Sequence, residues 1–204
     1  MSTFFDFGDW HGKVPAHRHP NGGGWVADTA TVAETAYVGP GAKIHDNAWV
    51  SDNARVSDNA KIYDNARVSD NAQVSDNARV SDNARVSGSA RVSGSAWVFD
   101  NAQVSDNARV SGKAWVSDNA RVSDNADFAT GFVGGYHWTA YRCASGWRLR
   151  YGCENHPLSA WRRLHAALAI KHRGSGAHAA HTRAAEAQAR AHIANIRNQE
   201  KTNV

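Results

Sequence analysis

An aliphatic residue recurs at every sixth position over half of the chain, with no residue inserted or deleted between repeats. A fixed short period of this kind is typical of a solenoid, in which each unit stacks on its neighbours. A helix does not fit, because the helical period is about 3.6 residues and the units are built from poor helix formers. The series, which Phe128 continues in phase, is Val26, Val32, Val38, Ile44, Val50, Val56, Ile62, Val68, Val74, Val80, Val86, Val92, Val98, Val104, Val110, Val116 and Val122.

Each six-residue unit has the pattern of one short strand followed by a corner. In a representative unit, alternation places Ala54 and Val56 on one face of the strand and Arg55 and Ser57 on the other. The pair Asp58-Asn59 then turns the chain, since Asn tolerates the left-handed conformation and Asp bonds to nearby backbone. Where this pair changes, glycine enters the corner, which its freedom from a Cβ atom permits. The changed corners are Gly88-Ser89, Gly94-Ser95 and Gly112-Lys113.

Three units predict a three-sided coil of eighteen residues, with coils stacked by backbone hydrogen bonds at roughly 4.8 Å. On that spacing the repeat gives about six coils, on the order of 30 Å in height. The pattern resembles the hexapeptide-repeat family of left-handed parallel β-helices, and the resemblance implies the left hand and a homotrimer. We therefore predict a mainly β fold, a left-handed parallel β-helix with a small C-terminal hairpin and helices.

Three regions follow from the pattern along the chain. Residues 1–24, with several aromatic side chains, are expected to cap the first coil, since a solenoid end exposes a strand edge. Residues 25–130 form the solenoid, and residues 131–204 form a hairpin followed by two helices. The first helix is predicted to begin near Pro157 and to end at Gly174 and Gly176, and the second to run from Ala177 to about Lys201.

The outward positions distinguish one wall of the coil. If every third unit shares a wall, the wall that contains Val26 carries two clusters, whereas the other two walls carry mainly Arg, Gln and Ser. The first cluster, here the basic cluster, is a candidate site for a phosphate or carboxylate and consists of Lys43, His45, Lys61, Tyr63 and Arg79. The second, here the aromatic patch, is a candidate interface, either with a neighbouring protomer or with the C-terminal hairpin and helix of the same chain. It consists of Trp97, Phe99 and Trp115.

The hairpin adds further tryptophans to the candidate interface residues. A turn at Ser145-Gly146 would place Arg148 opposite Cys143 and would put Trp138 and Trp147 on one face, together with Ala140, Leu149, Tyr151 and Cys153. This face is expected to pack on the last coil or on the following helix. We take Trp138, Trp147 and Trp161, with the aromatic patch, as the candidate interface residues.

The composition limits the possible partners and location of the protein but does not indicate a function. The chain has 204 residues, a net charge of +4 and a pI of about 9.3, a mild excess of positive charge that allows an anionic partner. No apolar run is long enough for a membrane span, and the first residues lack the pattern of a secretion signal. The expected hairpin register keeps Cys143 and Cys153 too far apart for a disulfide. We therefore expect free thiols and a cytoplasmic location.

The resemblance to hexapeptide-repeat proteins implies two candidate enzyme chemistries. Hexapeptide-repeat acyltransferases use coenzyme A or an acylated carrier, and the resemblance implies that His45 would be the general base here. A base needs an orienting group, and the sequence shows no carboxylate dedicated to His45. Carbonic anhydrases of this fold need three metal histidines from neighbouring coils, and this solenoid has one. We therefore expect no catalytic residues and no cofactor, with coenzyme A only under the acyltransferase alternative.

Other classes of ligand are less well supported. The pairs His17 and His19, and His178 and His181, are too few for a typical zinc site, so we expect no metal. Nucleic-acid binding is disfavoured, because Asp residues at the corners offset the Arg side chains that would contact phosphates.

The whole chain resembles hexapeptide-repeat proteins of bacteria and their phages, through the segments "HWTAYR", "WRLRYGC" and "PLSAWRRL". Fold alone does not establish an activity. The leading hypothesis is a non-enzymatic, trimeric binding or scaffold protein that engages a protein or an anionic small molecule, in the host cytoplasm if the gene is carried by a phage. The alternatives are a coenzyme A-dependent acyltransferase with a site between subunits and a nucleotide-binding sponge.

Overall fold

The structure is a computed structural model of the 204-residue chain. It describes residues 3–9, 12–117, 119–123, 128–133, 136–143, 146–151, 154–171 and 176–202. The chain divides into two compact units, Met1–Asn125 and Ala126–Val204. No described helix is both long enough and apolar enough to cross a bilayer.

The first unit is a parallel β-solenoid preceded by an antiparallel hairpin. Its strands are β1 (Phe4–Asp6), β2 (Lys13–Arg18), β3 (Trp25–Ala27), β4 (Thr31–Val32), β5 (Tyr37–Val38), β6 (Lys43–Ile44), β7 (Trp49–Val50), β8 (Arg55–Val56), β9 (Lys61–Ile62), β10 (Arg67–Val68), β11 (Gln73–Val74), β12 (Arg79–Val80), β13 (Arg85–Val86), β14 (Arg91–Val92), β15 (Trp97–Val98), β16 (Gln103–Ser105), β17 (Arg109–Val110), β18 (Trp115–Val116) and β19 (Arg121–Ser123).

Three sheets make the sides of the coil, and they confirm the predicted solenoid. The first wall is β3-β6-β9-β12-β15-β18, the second is β4-β7-β10-β13-β16-β19, and the third is β5-β8-β11-β14-β17. Every parallel pair joins residues eighteen apart, and Trp97 pairs directly with Trp115. The wall assignment made from the sequence is therefore confirmed. The left hand stays a prediction from the resemblance.

The core of the solenoid is thin and uniform. The repeating aliphatic residues from Val38 to Val122, and the Ala residues from Ala36 to Ala120 that point the same way, are at most 1% exposed. A larger side chain at either place would have to displace a neighbour in an already filled interior. Packing therefore explains why the two inward positions of the unit vary so little along this chain.

The corners depend on Asp rather than on Asn. Nine described corner Asp residues have a φ of 56 to 60°, and Gly88, Gly94 and Gly112 replace Asp at this position with a φ of 66 to 70°. The expectation that Asn adopts the left-handed conformation is therefore wrong. The reason is a second role of Asp: its carboxylate accepts a backbone N–H from the next coil, as Asp58 Oδ2 does from Asp76 N at 3.2 Å.

The solenoid pattern ends before Phe128, although that residue keeps the six-residue spacing. Phe128 begins β20 (Phe128–Val133), which pairs antiparallel with the next strand rather than parallel with a coil. The second unit contains β20, β21 (Tyr136–Cys143), β22 (Gly146–Tyr151), β23 (Glu154–Pro157), α1 (Trp161–Lys171) and α2 (Gly176–Thr202). Its sheet is antiparallel in the order β20-β21-β22-β23, two strands more than the predicted hairpin.

The register of β21 and β22 differs from the expectation by two residues. Cys143 pairs with Gly146, so Arg148 lies opposite Tyr141 and not opposite Cys143. Because side chains alternate with a period of two, a shift of two residues leaves each side chain on its predicted face. Cys153 and the side chain of Cys143 lie outside the described residues, so the prediction of free thiols stays open. Gly174, which was predicted to end the first helix, also lies outside them.

Two of the candidate interface tryptophans lie inside this second unit. Trp138 and Trp161 are 3% and 0% exposed and pack with Leu149, Leu168 and Ile193, so they offer no surface to a partner. Trp147 is partly buried against the same cluster. The sheet face packs on a helix as expected, and this burial corrects the interface assignment of Trp138 and Trp161.

The first helix begins at Trp161 and not near Pro157. Pro157 ends β23, where it pairs with Arg148, and Leu158 N donates to Trp147 O at 2.8 Å. Pro fits the end of an edge strand because it lacks an N–H to donate. Gly176 begins α2 and does not end α1, so the second helix agrees closely with its predicted bounds.

A cluster of hydrogen-bonded polar side chains lies between the two helices. His165 Nε2 is 2.8 Å from Glu186 Oε2, and its Nδ1 is 2.9 Å from the hydroxyl of Thr182. Arg190 donates to Glu186 Oε1 at 2.6 Å. The Thr182 hydroxyl is fully buried and donates to Ala179 O. This arrangement holds α1 to α2.

The corner geometry leads to a stability prediction at Asp58, whose φ is 56°. Asp58→Ala and Asp58→Gly both remove the carboxylate that Asp76 N and Ser57 Oγ contact. Only Ala retains a Cβ, which costs about 1–2 kcal/mol in the left-handed region. We expect Asp58→Ala to be the less stable of the two by about 1 kcal/mol or more in urea unfolding. Equal midpoints for the two variants would show that backbone strain at the corner is negligible.

Candidate anion-binding cleft

The hairpin β1–β2 lies at the edge of the first wall and creates the candidate site. β2 pairs antiparallel with β3, so the hairpin extends the sheet that carries the basic cluster. Phe5 stacks on Trp25 at 4.2 Å between ring centroids, and Phe7 is 1% exposed. These apolar contacts position the residues that follow Phe7 over the outer surface of the wall.

A cleft of about 390 Å³ opens beside this hairpin, here the wall cleft. Four residues of the basic cluster line it, together with residues from the hairpin and from two corners. Its lining is Phe7, Gly8, Asp9, His45, Asp46, Lys61, Tyr63, Asp64 and Arg79. Lys43 does not line the cleft, because its Nζ donates to Phe7 O at 3.3 Å and contacts the Phe5 ring.

Three stacked rings form one side of the wall cleft. Phe7 stacks on His45 at 4.9 Å, and His45 stacks on Tyr63 at 5.3 Å with an interplanar angle of 5°. Tyr63 is half-buried, and this burial raises the pKa of its hydroxyl above the usual value. The stack fixes the plane of the imidazole and leaves the tyrosine ring at the edge of the cleft.

Two cations face the wall cleft from neighbouring coils. Lys61 pairs with Arg79 in the parallel ladder, so their side chains leave the sheet roughly 4.8 Å apart. Burial lowers the pKa of Lys61, and the charges of Lys43 and Arg79 lower it further, whereas the charge of Asp9 acts in the opposite direction. Within the described residues, the side chains of Lys61 and Arg79 make no hydrogen bond or ion pair.

The acidic residues of the wall cleft contact other groups. Asp46 Oδ2 accepts the N–H of Asp64 at 3.2 Å, and Asp64 Oδ2 accepts the N–H of Asp82 at 3.3 Å. These two carboxylates therefore belong to the corner ladder. Their contacts with the backbone leave Lys61 and Arg79 as the groups that are open to a bound anion.

His45 is buried and has carboxylates beside it. Its side chain is 6% exposed, and Nδ1 lies 3.0 Å from Asp46 Oδ2 and 3.2 Å from Asp9 Oδ2. Burial lowers the pKa of His45, although Asp46 and Asp9 act in the opposite direction. The expectation that no carboxylate accompanies His45 is therefore wrong. Asp9 lies thirty-six positions away in the sequence, and only the hairpin brings it close.

The aromatic patch is assembled as predicted, farther along the same wall. The Trp97 ring is 4.6 Å from Phe99 and 5.7 Å from Trp115, centroid to centroid. Trp97 Nε1 donates to Ser81 Oγ at 3.0 Å, which anchors the indole to the coil below. Trp115 is 40% exposed within the described part of the chain.

The first histidine pair singled out in the sequence, His17 and His19, contacts other polar groups. His17 pairs with Asp28 at 2.9 Å on the surface, and His19 is 3% exposed beside Asn21 O. The side chain of His178 lies outside the described residues. One other group, Asp9, His45 and Asp46, brings three side chains of metal-ligand type together.

Comparison with known protein families supports the repeat. A model described as the YdcK Beta solenoid repeat matches residues 60–76, 72–88, 78–94, 84–99 and 102–118. The matches lie within the solenoid, cover less than half of the chain and include Lys61, Tyr63 and Arg79. The chain is thus similar to this β-solenoid repeat. No curated protein matches the chain at a significant level.

The packing of the hairpin leads to a prediction at Phe7. Phe7→Ala removes a ring that is 1% exposed, a change that costs roughly 3–5 kcal/mol in a packed core. We expect the hairpin to open, with faster amide hydrogen exchange in Lys13–Arg18. Phe4→Ala is the matched control, because that ring is 57% exposed. Equal exchange in both variants would exclude Phe7 as the anchor.

Proposed function

We propose that the protein is a non-enzymatic β-solenoid binding protein whose wall cleft holds an anionic small molecule. The observation that carries the proposal is the pair Lys61 and Arg79, which face the cleft without an ion pair among the described residues. Two like charges on adjacent coils repel each other, and an anion between them removes that cost.

The anion is best described as a phosphate or a polycarboxylate. Arg presents a planar fork that suits two oxygens, whereas Lys adds a compact charge. The half-buried Tyr63 ring supplies a flat surface beside these cations, on which the base of a nucleotide could stack. Pyrophosphate, ADP and citrate therefore cover the chemistry that the cleft favours.

Acyl transfer is the second candidate, and one observation favours it. His45 lies beside two carboxylates, and a carboxylate can orient an imidazole that acts as a general base. Against it, the imidazole is 5% exposed, and the nitrogen facing the carboxylates is buried. A general base must reach the proton it removes, so binding is the better-supported function.

Anion binding is tested by calorimetry with pyrophosphate, ADP, coenzyme A and citrate at low salt. We expect Lys61→Met and Arg79→Met each to weaken binding by roughly tenfold, because each removes one charge and retains much of the side-chain volume. Arg91→Met is the matched control, since Arg91 is exposed on the third wall. Its affinity should equal that of the unmodified protein.

The outcomes separate the two candidates. Binding of none of the four anions, or an equal loss in Arg91→Met, would contradict the anion proposal. Turnover of acetyl-coenzyme A that disappears in His45→Ala would replace it with acyl transfer. A specific ligand must also raise the melting temperature, because it binds only the folded state.

We also propose that the protein is a trimer. The resemblance to hexapeptide-repeat proteins and the partial exposure of Trp115 within the aromatic patch support this proposal. Sedimentation equilibrium at micromolar concentration should give about three times the chain mass of 22.1 kDa. A mass equal to one chain across the concentration series would exclude it.

A further inference from the structure

The group Asp9, His45 and Asp46 is an exception to the usual residue pattern at the corners of the repeat. Where Ser precedes Asp at a described corner, the Ser hydroxyl usually donates to the Asp carboxylate. The serines that do so are Ser51, Ser57, Ser69, Ser81 and Ser105. His takes the place of Ser in the repeat at position 45 alone. A nitrogen therefore faces the corner carboxylate, and the hairpin adds a second carboxylate from Asp9.

Two separations within this group match those of ligands around one ion. His45 Nδ1 is 3.0 Å from Asp46 Oδ2 and 3.2 Å from Asp9 Oδ2, and one ligand atom from each residue lies within 4.8 Å of the others. Ligands at about 2.1 Å from a metal are about 3.0 Å apart in octahedral geometry and about 3.4 Å apart in tetrahedral geometry. The group can therefore surround an ion with small adjustments of side chains.

A second observation points to a ligand at the same place. His45 is 5% exposed, and its Nδ1 is buried with no properly directed hydrogen bond in the part of the chain that the structure describes. A buried polar atom without a well-directed hydrogen bond costs up to about 1–3 kcal/mol. Buried groups of this kind are normally satisfied. A metal ion between the nitrogen and the two carboxylates would remove this cost.

The surroundings of the group suit a fixed site. The ring of His45 is clamped between Phe7 and Tyr63, and Asp46 is held by its contact with Asp64 N. One imidazole and two carboxylates offer the mixed nitrogen and oxygen ligands that first-row divalent metals accept. Two carboxylates also neutralise the charge of such an ion. Further coordination positions would face the wall cleft.

We propose that Asp9, His45 and Asp46 bind one divalent transition-metal ion of the manganese or zinc type. The proposal does not depend on anion binding by Lys61 and Arg79, which lie outside the three ligands. It concerns the folded chain with its N-terminal hairpin, because Asp9 reaches His45 only through the hairpin.

The test is calorimetric titration of the metal-free 204-residue protein with Mn²⁺, followed by amide NMR spectra. Mn²⁺ is the probe because thiols compete for it less than for zinc. We expect saturable binding of one equivalent per chain, with the first loss of signal at residues 9, 45 and 46. Asp9→Asn keeps the side-chain shape and should weaken binding at least tenfold. His45→Gln should weaken it similarly.

Matched controls separate this site from other surface groups. Asp106→Asn alters an exposed corner carboxylate that accepts from Ser105 Oγ at 2.9 Å, and it should leave Mn²⁺ affinity unchanged. Lys61→Met, which tests the anion proposal, should not weaken Mn²⁺ binding. Failure to bind one equivalent, or affinities in Asp9→Asn equal to those in Asp106→Asn, would overturn the metal proposal, provided that melting curves show both variants to be folded.

Discussion

The stacking of one eighteen-residue coil on the next is the constraint on which the solenoid depends. Each strand of the three solenoid walls is only two or three residues long, so no side of a coil is stable on its own. Stability comes from the hydrogen bonds and the continuous core that neighbouring coils share. Any residue that changes the length of a coil breaks this alignment on all three walls at once.

This constraint divides the residues of the unit into two groups. The inward Val and Ala fill the core, and the corner Asp or Gly turns the chain, so these positions have little freedom. The outward positions are free to vary, and chemistry is found there. Lys61, Tyr63 and Arg79 occupy outward positions on adjacent coils, where the ladder sets their separation. The wall therefore positions functional groups without any specialised loop from the coils.

Much of the fold followed from the sequence because the repeat is a local and periodic signal. The wall map and the grouping of Trp97, Phe99 and Trp115 required only the period. The role of Asp at the corner was missed, because its carboxylate contacts a coil eighteen residues away. The helix start was misplaced at Pro157, because β23 forms only when β22 is present to pair with it.

Only part of the site at the wall cleft could be predicted from the sequence. The basic cluster lies on one wall, so its residues could be grouped from spacing alone. Asp9 could not be assigned to His45, since the approach depends on the packing of Phe5 and Phe7 in a hairpin outside the repeat. The sequence leaves open whether the sheet face packs on the last coil or on the following helix, so it does not show that Trp138 and Trp161 are buried within the second unit.

The strict pairing of residues eighteen apart also determines how this chain can change in length. Removal of one six-residue unit between His45 and Trp97 keeps the remaining strands intact but moves every later unit of the solenoid onto the neighbouring side of the tube. Trp97 and Trp115 would then leave the wall that holds His45. Removal or duplication of three units preserves each side, so the solenoid can shorten or lengthen in whole turns while its surface chemistry remains aligned.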